Sequence, residues 1–296
     1  MWVMSPPPRD DPDEALDHAL TLANGTQVYQ LSDVERAAIH AVYRLYEALL
    51  GQPHADLRPA SLNNVRPVLH GAYNQVQIGR RLAALRSQLL GSTDVCPYCG
   101  FGEPRDLDHY LPRSIYGELA IYPYNLIPSC APCNGAKRAV VPGLGPAQGS
   151  GLIHPYFQVL PDVDFLGADI DFSNGSLSVT FRILPDGIDA DLAQKLQFQI
   201  TRLKLNERYR KQINIFLSSQ KTGIIMMHAL GPDSLKDFLR QSALSLARSF
   251  HRNDWRVALL QALSENEDFC ASPELYVGER DIADIGAEAE PAPAAV

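Results

Sequence analysis

Apolar residues recur along this chain at two periods, and the change from one to the other divides it. From Ser32 to Gly51 the spacing is helical, with Val34, Ala38, Val42, Leu45 and Leu49 on one stripe. Ser32 and Glu35 form the pattern of a capping box, and Gly51 follows the last turn. After a Pro-containing loop, Ile78, Leu82, Leu85 and Leu89 mark a second helix that stops at Gly91. Farther on the period falls to two. Ile170 and Phe172 alternate with polar residues, Asn174-Gly175 is a hairpin turn, and Leu177, Val179, Phe181 and Ile183 alternate again. From Asp191 the helical period returns with Leu192, Leu196, Ile200 and Leu203, and residues 207–220 continue as helix. A further helix over 233–250 turns Leu235, Phe238, Leu239, Ser242, Leu246 and Phe250 inward. Trp255, Leu259, Leu260 and Leu263 mark a last short one. Met226, Met227 and Trp255 read as core.

These elements predict an α+β fold, mainly α-helical, with one small β hairpin. Six segments follow: a flexible Pro-rich arm (1–31, with a short helix over 13–23), a helical region (32–91), a cysteine-bearing unit (92–140), a Pro/Gly linker (141–156), the hairpin with a helical C-terminal domain (157–279), and a disordered tail (280–296). The formal net charge is −8, which on its face disfavours a nucleic-acid partner. Its distribution changes that picture. Residues 265–296 hold nine acids and one Arg, whereas 195–211 hold six bases and one acid, a candidate surface for phosphate. The seven Asp between 162 and 191 lack a calcium-loop spacing and read as a solvated face. No apolar run reaches 18 residues, so no membrane partner is expected.

The chemistry concentrates between Cys96 and Arg138. Cys96, Cys99, Cys130 and Cys133 are spaced C-x2-C-x30-C-x2-C, so each pair sits on a knuckle that aims two sulfurs at one point. Two disulfides would leave Cys270 over, and no secretory leader is read at the start. The expectation is therefore a structural Zn2+ in a reducing cytoplasm, with Cys270 an ordinary thiol. The long gap between the pairs holds Asp108-His109 at the end of an extended run, then Asn125. Asn134 and Lys137 follow Cys133 at the start of a short helix. Strand, loop, strand and helix make one compact ββα unit.

In this order Cys-x2-Cys, Asp-His-x2-Pro, Asn-Leu-x-Pro-x-Cys-x2-Cys and Asn-x2-Lys resemble the HNH endonucleases in their zinc-stapled ββα-metal form, over about 45 residues. The resemblance implies a metal-dependent phosphodiester hydrolase with one catalytic cation. His109 would be the general base, and Asp108 with Asn134 would hold the cation. Asn125 would fix the His109 loop, and Lys137 and Arg113 would grip flanking phosphates. Asn134 stands where the family commonly has His, which points to a hard cation, Mg2+ or Mn2+. Nucleic acid is the expected partner, DNA favoured and RNA (tRNA) the alternative. A third reading is a zinc finger that binds without cutting.

The finger carries no targeting element, so a protein partner is expected to supply one. His154-Pro-Tyr-Phe157, the hairpin and Leu205-Asn-Glu-Arg-Tyr209 are similar in layout to bacterial anti-phage HNH effectors of the Septu-like type. That likeness implies an ATPase partner.

Overall fold

The computed structural model describes residues 3–9, 11–22, 24–143, 151–172 and 176–277. It is a mainly helical α+β fold in which two small antiparallel hairpins are set among ten α-helices of the described residues. The turn at Asn174-Gly175, part of the 141–156 linker and the 280–296 tail lie outside the described residues.

The segment expected to be a flexible arm is packed where it is described. Asp11 accepts a hydrogen bond from the Asp13 amide and starts α1 (Pro12–Ala19), which buries Leu16 and Ala19. Leu20 and Leu31 are also buried, and the Met4 amide donates to Pro155 O at 2.8 Å. These apolar side chains, spread through a Pro-rich stretch, give it a face to bury.

Helix α2 (Asp33–Ala48) begins with the capping box between Ser32 and Glu35. Its inner face is rotated from the aliphatic stripe. Ile39, Val42, Tyr43 and Tyr46 are buried, whereas Val34 is 74% exposed. The large aromatic area of the two tyrosines decides which side faces inward. After α3 (Arg66–Ala72), helix α4 (Ala83–Leu90) ends at Gly91 and buries Leu85 and Leu89. It starts later than the stripe predicts, and Ile78 is 87% exposed.

The cysteine-bearing unit has the expected order: β1 (Asp106–His109), β2 (Leu126–Ser129) and α5 (Ala131–Lys137). The strands are antiparallel, with Asp106 opposite Ser129 and His109 opposite Leu126. The 151–156 part of the expected linker is a buried seam. Tyr110 donates to Leu152 O at 2.8 Å and Gln199 Oε1 accepts from the Ile153 amide at 3.2 Å.

Beyond the seam, β3 (Leu166–Asp171) and β4 (Ser178–Ile183) pair antiparallel and lie against α6 (Ala190–Arg202), α7 (Leu205–Ala229) and α9 (Trp255–Glu265). Helices α8 (Pro232–Ser249) and α10 (Glu267–Ala271) complete the layer. Leu192, Leu196, Ile200 and Leu203 are buried together, as are Leu235 and Leu239, but Met226 is 60% exposed and Phe250 48%. Trp255 is core. Cys270 is a buried free thiol. Two asparagines clamp the strands. Asn206 bonds both the amide and carbonyl of Phe181. Asn253 accepts from the Phe165 and Leu166 amides at 2.7 and 3.0 Å and donates to Val163 O at 2.9 Å. No helix among the described residues is long and apolar enough to cross a membrane.

Asn253→Ala leaves two buried amides and a carbonyl unpaired, at about 1–3 kcal/mol for each group that water does not reach. A loss of about 2–5 kcal/mol in urea denaturation is expected. A change below about 0.5 kcal/mol would show that Asn253 does not hold the strand.

Candidate functional site

The four cysteines converge. Their sulfurs all lie within 4.8 Å of one another, and Cys99 Sγ is 3.8 Å from Cys130 Sγ. Tetrahedral zinc with sulfurs at about 2.3 Å requires sulfur separations of about 3.8 Å. All four are free thiols and buried, so the donor set fits one thiophilic ion, zinc foremost. Local backbone makes the first knuckle. The Gly100 amide donates to Cys96 O at 2.8 Å with Gly100 at φ 76°, a conformation glycine adopts without strain. A side chain at Gly102 would put its Cβ 2.8 Å from both Cys130 Cβ and Sγ, so only glycine lets the two knuckles meet. Cys130 is the N-cap of α5 and places Cys133 one turn in.

Helix α7 closes the other side. Arg208 donates to Cys133 Sγ at 3.1 Å and to Cys130 Sγ at 3.4 Å, with its guanidinium 5.0 Å from the Phe101 ring centre. Next to it, Tyr209 donates to Cys99 O at 2.9 Å. Four thiolates around Zn2+ carry a net charge of −2, and Arg208 offsets part of it where water is scarce. The basic 195–211 segment therefore sends one of its cations to the sulfurs. Arg202, Lys204, Arg210 and Lys211 remain exposed.

His109 ends β1 with its ring buried. Nε2 is 2.8 Å from Ala120 O, so Nε2 carries the proton and Nδ1 keeps a free lone pair. The Tyr73 ring meets it edge-on at 4.4 Å, and the Arg113 guanidinium lies 4.8 Å over Tyr73. Burial pushes the imidazole down to about 3, opposed by the Ala120 bond and helped by the Arg113 and Lys137 charges. The ring is neutral at ordinary pH.

Asn125 fixes the loop after His109. It is fully buried, accepts from Leu111 N and Tyr46 Oη at 2.8 and 3.0 Å, and donates to Leu111 O and Leu119 O at 3.1 and 3.2 Å. Because Tyr46 donates its one proton to Asn125, the 2.9 Å contact to His154 is a donation from His154 Nε2. His154 Nδ1 then accepts from Tyr156 N at 3.2 Å. Burial holds His154 well below its ordinary value, neutral like His109.

The remaining expected residues fall differently. Lys137, expected on a phosphate, is 1% exposed. It lies 3.0 Å from Asp108 Oδ2 and donates to His109 O at 2.7 Å. Asp108, expected on a cation, is buried with Oδ2 also accepting from Tyr98 Oη at 2.8 Å. Burial pushes its carboxyl up while Lys137 and Tyr98 pull it back. Asn134 reaches Asp106 rather than Asp108, with Nδ2 3.1 Å from Asp106 Oδ2, and both are partly exposed. Strand alternation puts Asp106 and Asp108 on one face of β1, a signal already present in the Asp-Leu-Asp-His string. Arg113 donates to His70 O at 3.1 Å and stays partly exposed near His109.

The chain is 38% identical over 69 residues to protein ea31 of Escherichia phage lambda, which covers 23% of this chain and 23% of ea31. It thus spans less than a quarter of that relative's length. No protein-family model matches the chain, and no solved structure matches it.

Removing the metal with a chelator, or replacing Cys130 by Ser, is expected to unfold the finger, read as loss of near-ultraviolet dichroism and of one equivalent of bound zinc. Arg208→Met should keep that equivalent but release it to a colorimetric chelator about 10–100-fold faster. An unchanged release rate would remove Arg208 from the metal's support. Acid sensitivity follows from the histidines. Below about pH 6.5 the unfolded chain takes up protons that buried His109 and His154 refuse, so stability falls as pH drops from there toward 3. Melting temperature should fall less steeply between pH 6.5 and 4.5 in His154→Gln, where the metal's contribution is common to both proteins. Equal slopes would contradict a neutral buried His154.

Proposed function

We propose that the chain is a metal-dependent endonuclease of the HNH type that hydrolyses phosphodiester bonds, DNA favoured. The observation that carries this reading is the His109 ring, held through Nε2 by Ala120 O with Nδ1 free, on a ββα unit stapled by four cysteines. Asp106 and Asn134, which bond to each other and stay partly exposed, would be the oxygen donors for a hard cation, Mg2+ or Mn2+. Asp108 is already neutralised by Lys137. When bound, that cation would supply charge neutralisation for the phosphorane. His109 Nδ1 takes a proton from water as the water oxygen bonds to phosphorus. The bond to the 3′-oxygen breaks, and that oxygen is protonated from solvent. A substrate anion beside His109 raises its proton affinity from the low value of the free protein.

Asp108 and Lys137 serve this site from behind, by fixing the backbone at His109. Arg113 on one side and the exposed Arg138 and Arg202 on the other are the cations available to the backbone of a nucleic acid. Arg202 donates to Lys137 O at 3.3 Å, which brings it to the end of α5 beside Arg138. With a net charge of −8, affinity for nucleic acid is expected to be modest and salt-sensitive. A protein partner such as an ATPase, in an anti-phage effector, would supply targeting.

The zinc-loaded protein with Mg2+ or Mn2+ should nick plasmid DNA, with single-stranded DNA and total tRNA as parallel arms. His109→Ala should lower the rate about 10²–10⁴-fold with its melting temperature retained. Asp106→Asn should weaken Mn2+ binding seen by electron paramagnetic resonance, while Asp108→Asn should mainly lower stability by leaving Lys137 unpaired. Wild-type cutting that persists in His109→Ala would sink the general-base role. Cutting of tRNA alone would make RNA the substrate. No cutting in any arm, with tight binding retained, favours a finger that only binds.

A further inference from the structure

A cavity of about 560 Å³ opens between α1, α2, α4 and residues 121–124. That volume is in the range in which proteins take up small molecules. Tyrosines dominate one wall. Tyr43 and Tyr122 stack with ring centres 4.0 Å apart and planes 13° apart, and Tyr124 stacks on Tyr122 at 5.6 Å. Leu82 and Leu85 also line the space.

Three of the lining residues carry buried polar atoms without a hydrogen-bond partner, the Tyr43 hydroxyl, Arg81 Nε and His40 Nε2, and the first two bear most directly on a ligand. Arg81 Nε–H can only donate, and the tyrosine hydroxyl donates readily, so what both lack is an acceptor. Arg44, also in the lining, has no ion-pair partner among the described residues. The acids nearby are mostly committed. Glu47 takes Arg9 and the Tyr122 hydroxyl, each at 2.5 Å, and Asp11 caps α1. His40 Nε2 lies 3.2 Å from Asp13, and Glu14 is left to face solvent. A wall of tyrosine rings beside donors that lack acceptors defines a complementary ligand.

We propose that this cavity binds a small planar aromatic anion of the size of a nucleoside monophosphate, its ring on the tyrosine wall and its anionic group accepting from Tyr43, Arg81 and Arg44. The site also touches the finger. Ile121, Tyr122 and Tyr124 lie between Ala120, whose carbonyl holds His109, and Asn125, which holds the loop beyond it. A ligand against these tyrosines bears on the segment that sets the His109 ring. The assignment does not depend on the protein being a nuclease.

Isothermal titration of the zinc-loaded full chain with AMP and UMP tests it, with adenosine and inorganic phosphate as separate arms. Saturable binding of a nucleotide is expected, at least tenfold weaker for adenosine or phosphate alone. Ala84 is an exposed lining residue, so Ala84→Trp should fill the cavity and abolish binding without lowering the melting temperature. Arg81→Met should weaken binding at least fivefold and decides the matter if Ala84→Trp does not fold. Hydrogen exchange with nucleotide present should slow over 119–125 as well as 40–47. No saturable binding of either nucleotide at millimolar concentration would overturn the site, as would binding that survives Ala84→Trp or Arg81→Met. Protection confined to 40–47 would overturn the link to His109.

Discussion

Four thiol groups packed within 4.8 Å of one another and shut away from water make a site that only a cation can complete. Burial pushes the Cys96 thiol up, and four thiolates this close repel one another, so ionising the whole set needs positive charge beside it. A thiophilic ion would supply most of that charge, and Arg208 supplies part of it. The consequences run outward. One knuckle fixes the approach to β1, the other starts α5, and Arg208 with Tyr209 pins the longest helix, α7, onto both. The metal position is therefore a junction between the finger and the C-terminal helices, and its charge balance is shared between two parts of the chain.

A second set of polar contacts works in the opposite way, through full satisfaction without a metal. Lys137, Asp108 and Tyr98 form a buried ion pair with a hydroxyl beside it, and Lys137 also holds the His109 carbonyl. Asn125, Tyr46 and His154 do the same for the following loop, drawing on α2 and on the seam at 151–156. Buried charges and amides of this kind are costly when any member is missing, so they favour one geometry over alternatives. The result around His109 is a ring whose one nitrogen is occupied by Ala120 and whose other is available.

Much of this was legible in the chain. The two Cys-x2-Cys pairs, the ββα order and the capping box at Ser32 depend on residues close in sequence, and all three take their expected form. The hairpin strands and the Leu192–Leu203 stripe followed from periodicity, because each element buries one face. Where period and packing disagree, packing prevails. Val34 and Ile78 are exposed because tyrosines of α2 take the inner face and α4 begins only at Ala83. The short helix expected over 13–23 forms as α1, but the packing of the arm around it was not legible, since isolated apolar residues in a Pro-rich stretch need a partner surface that no local pattern announces.

The sequence by itself determined the chemistry on offer: four thiolates for one ion, a histidine at a strand end, and amides and carboxylates on either side. Tertiary structure alone decided how those groups were spent. Lys137 turned inward to Asp108 because a buried carboxylate needs a counter-charge, and that left Asp106 as the carboxylate beside Asn134. Arg208, 75 residues beyond Cys133, became the partner of the sulfurs because α7 crosses the knuckles. Spacing along a chain fixes which groups can share a ligand locally. Which charge neutralises which depends on burial and on contacts between distant segments, and those exist only once the chain has folded.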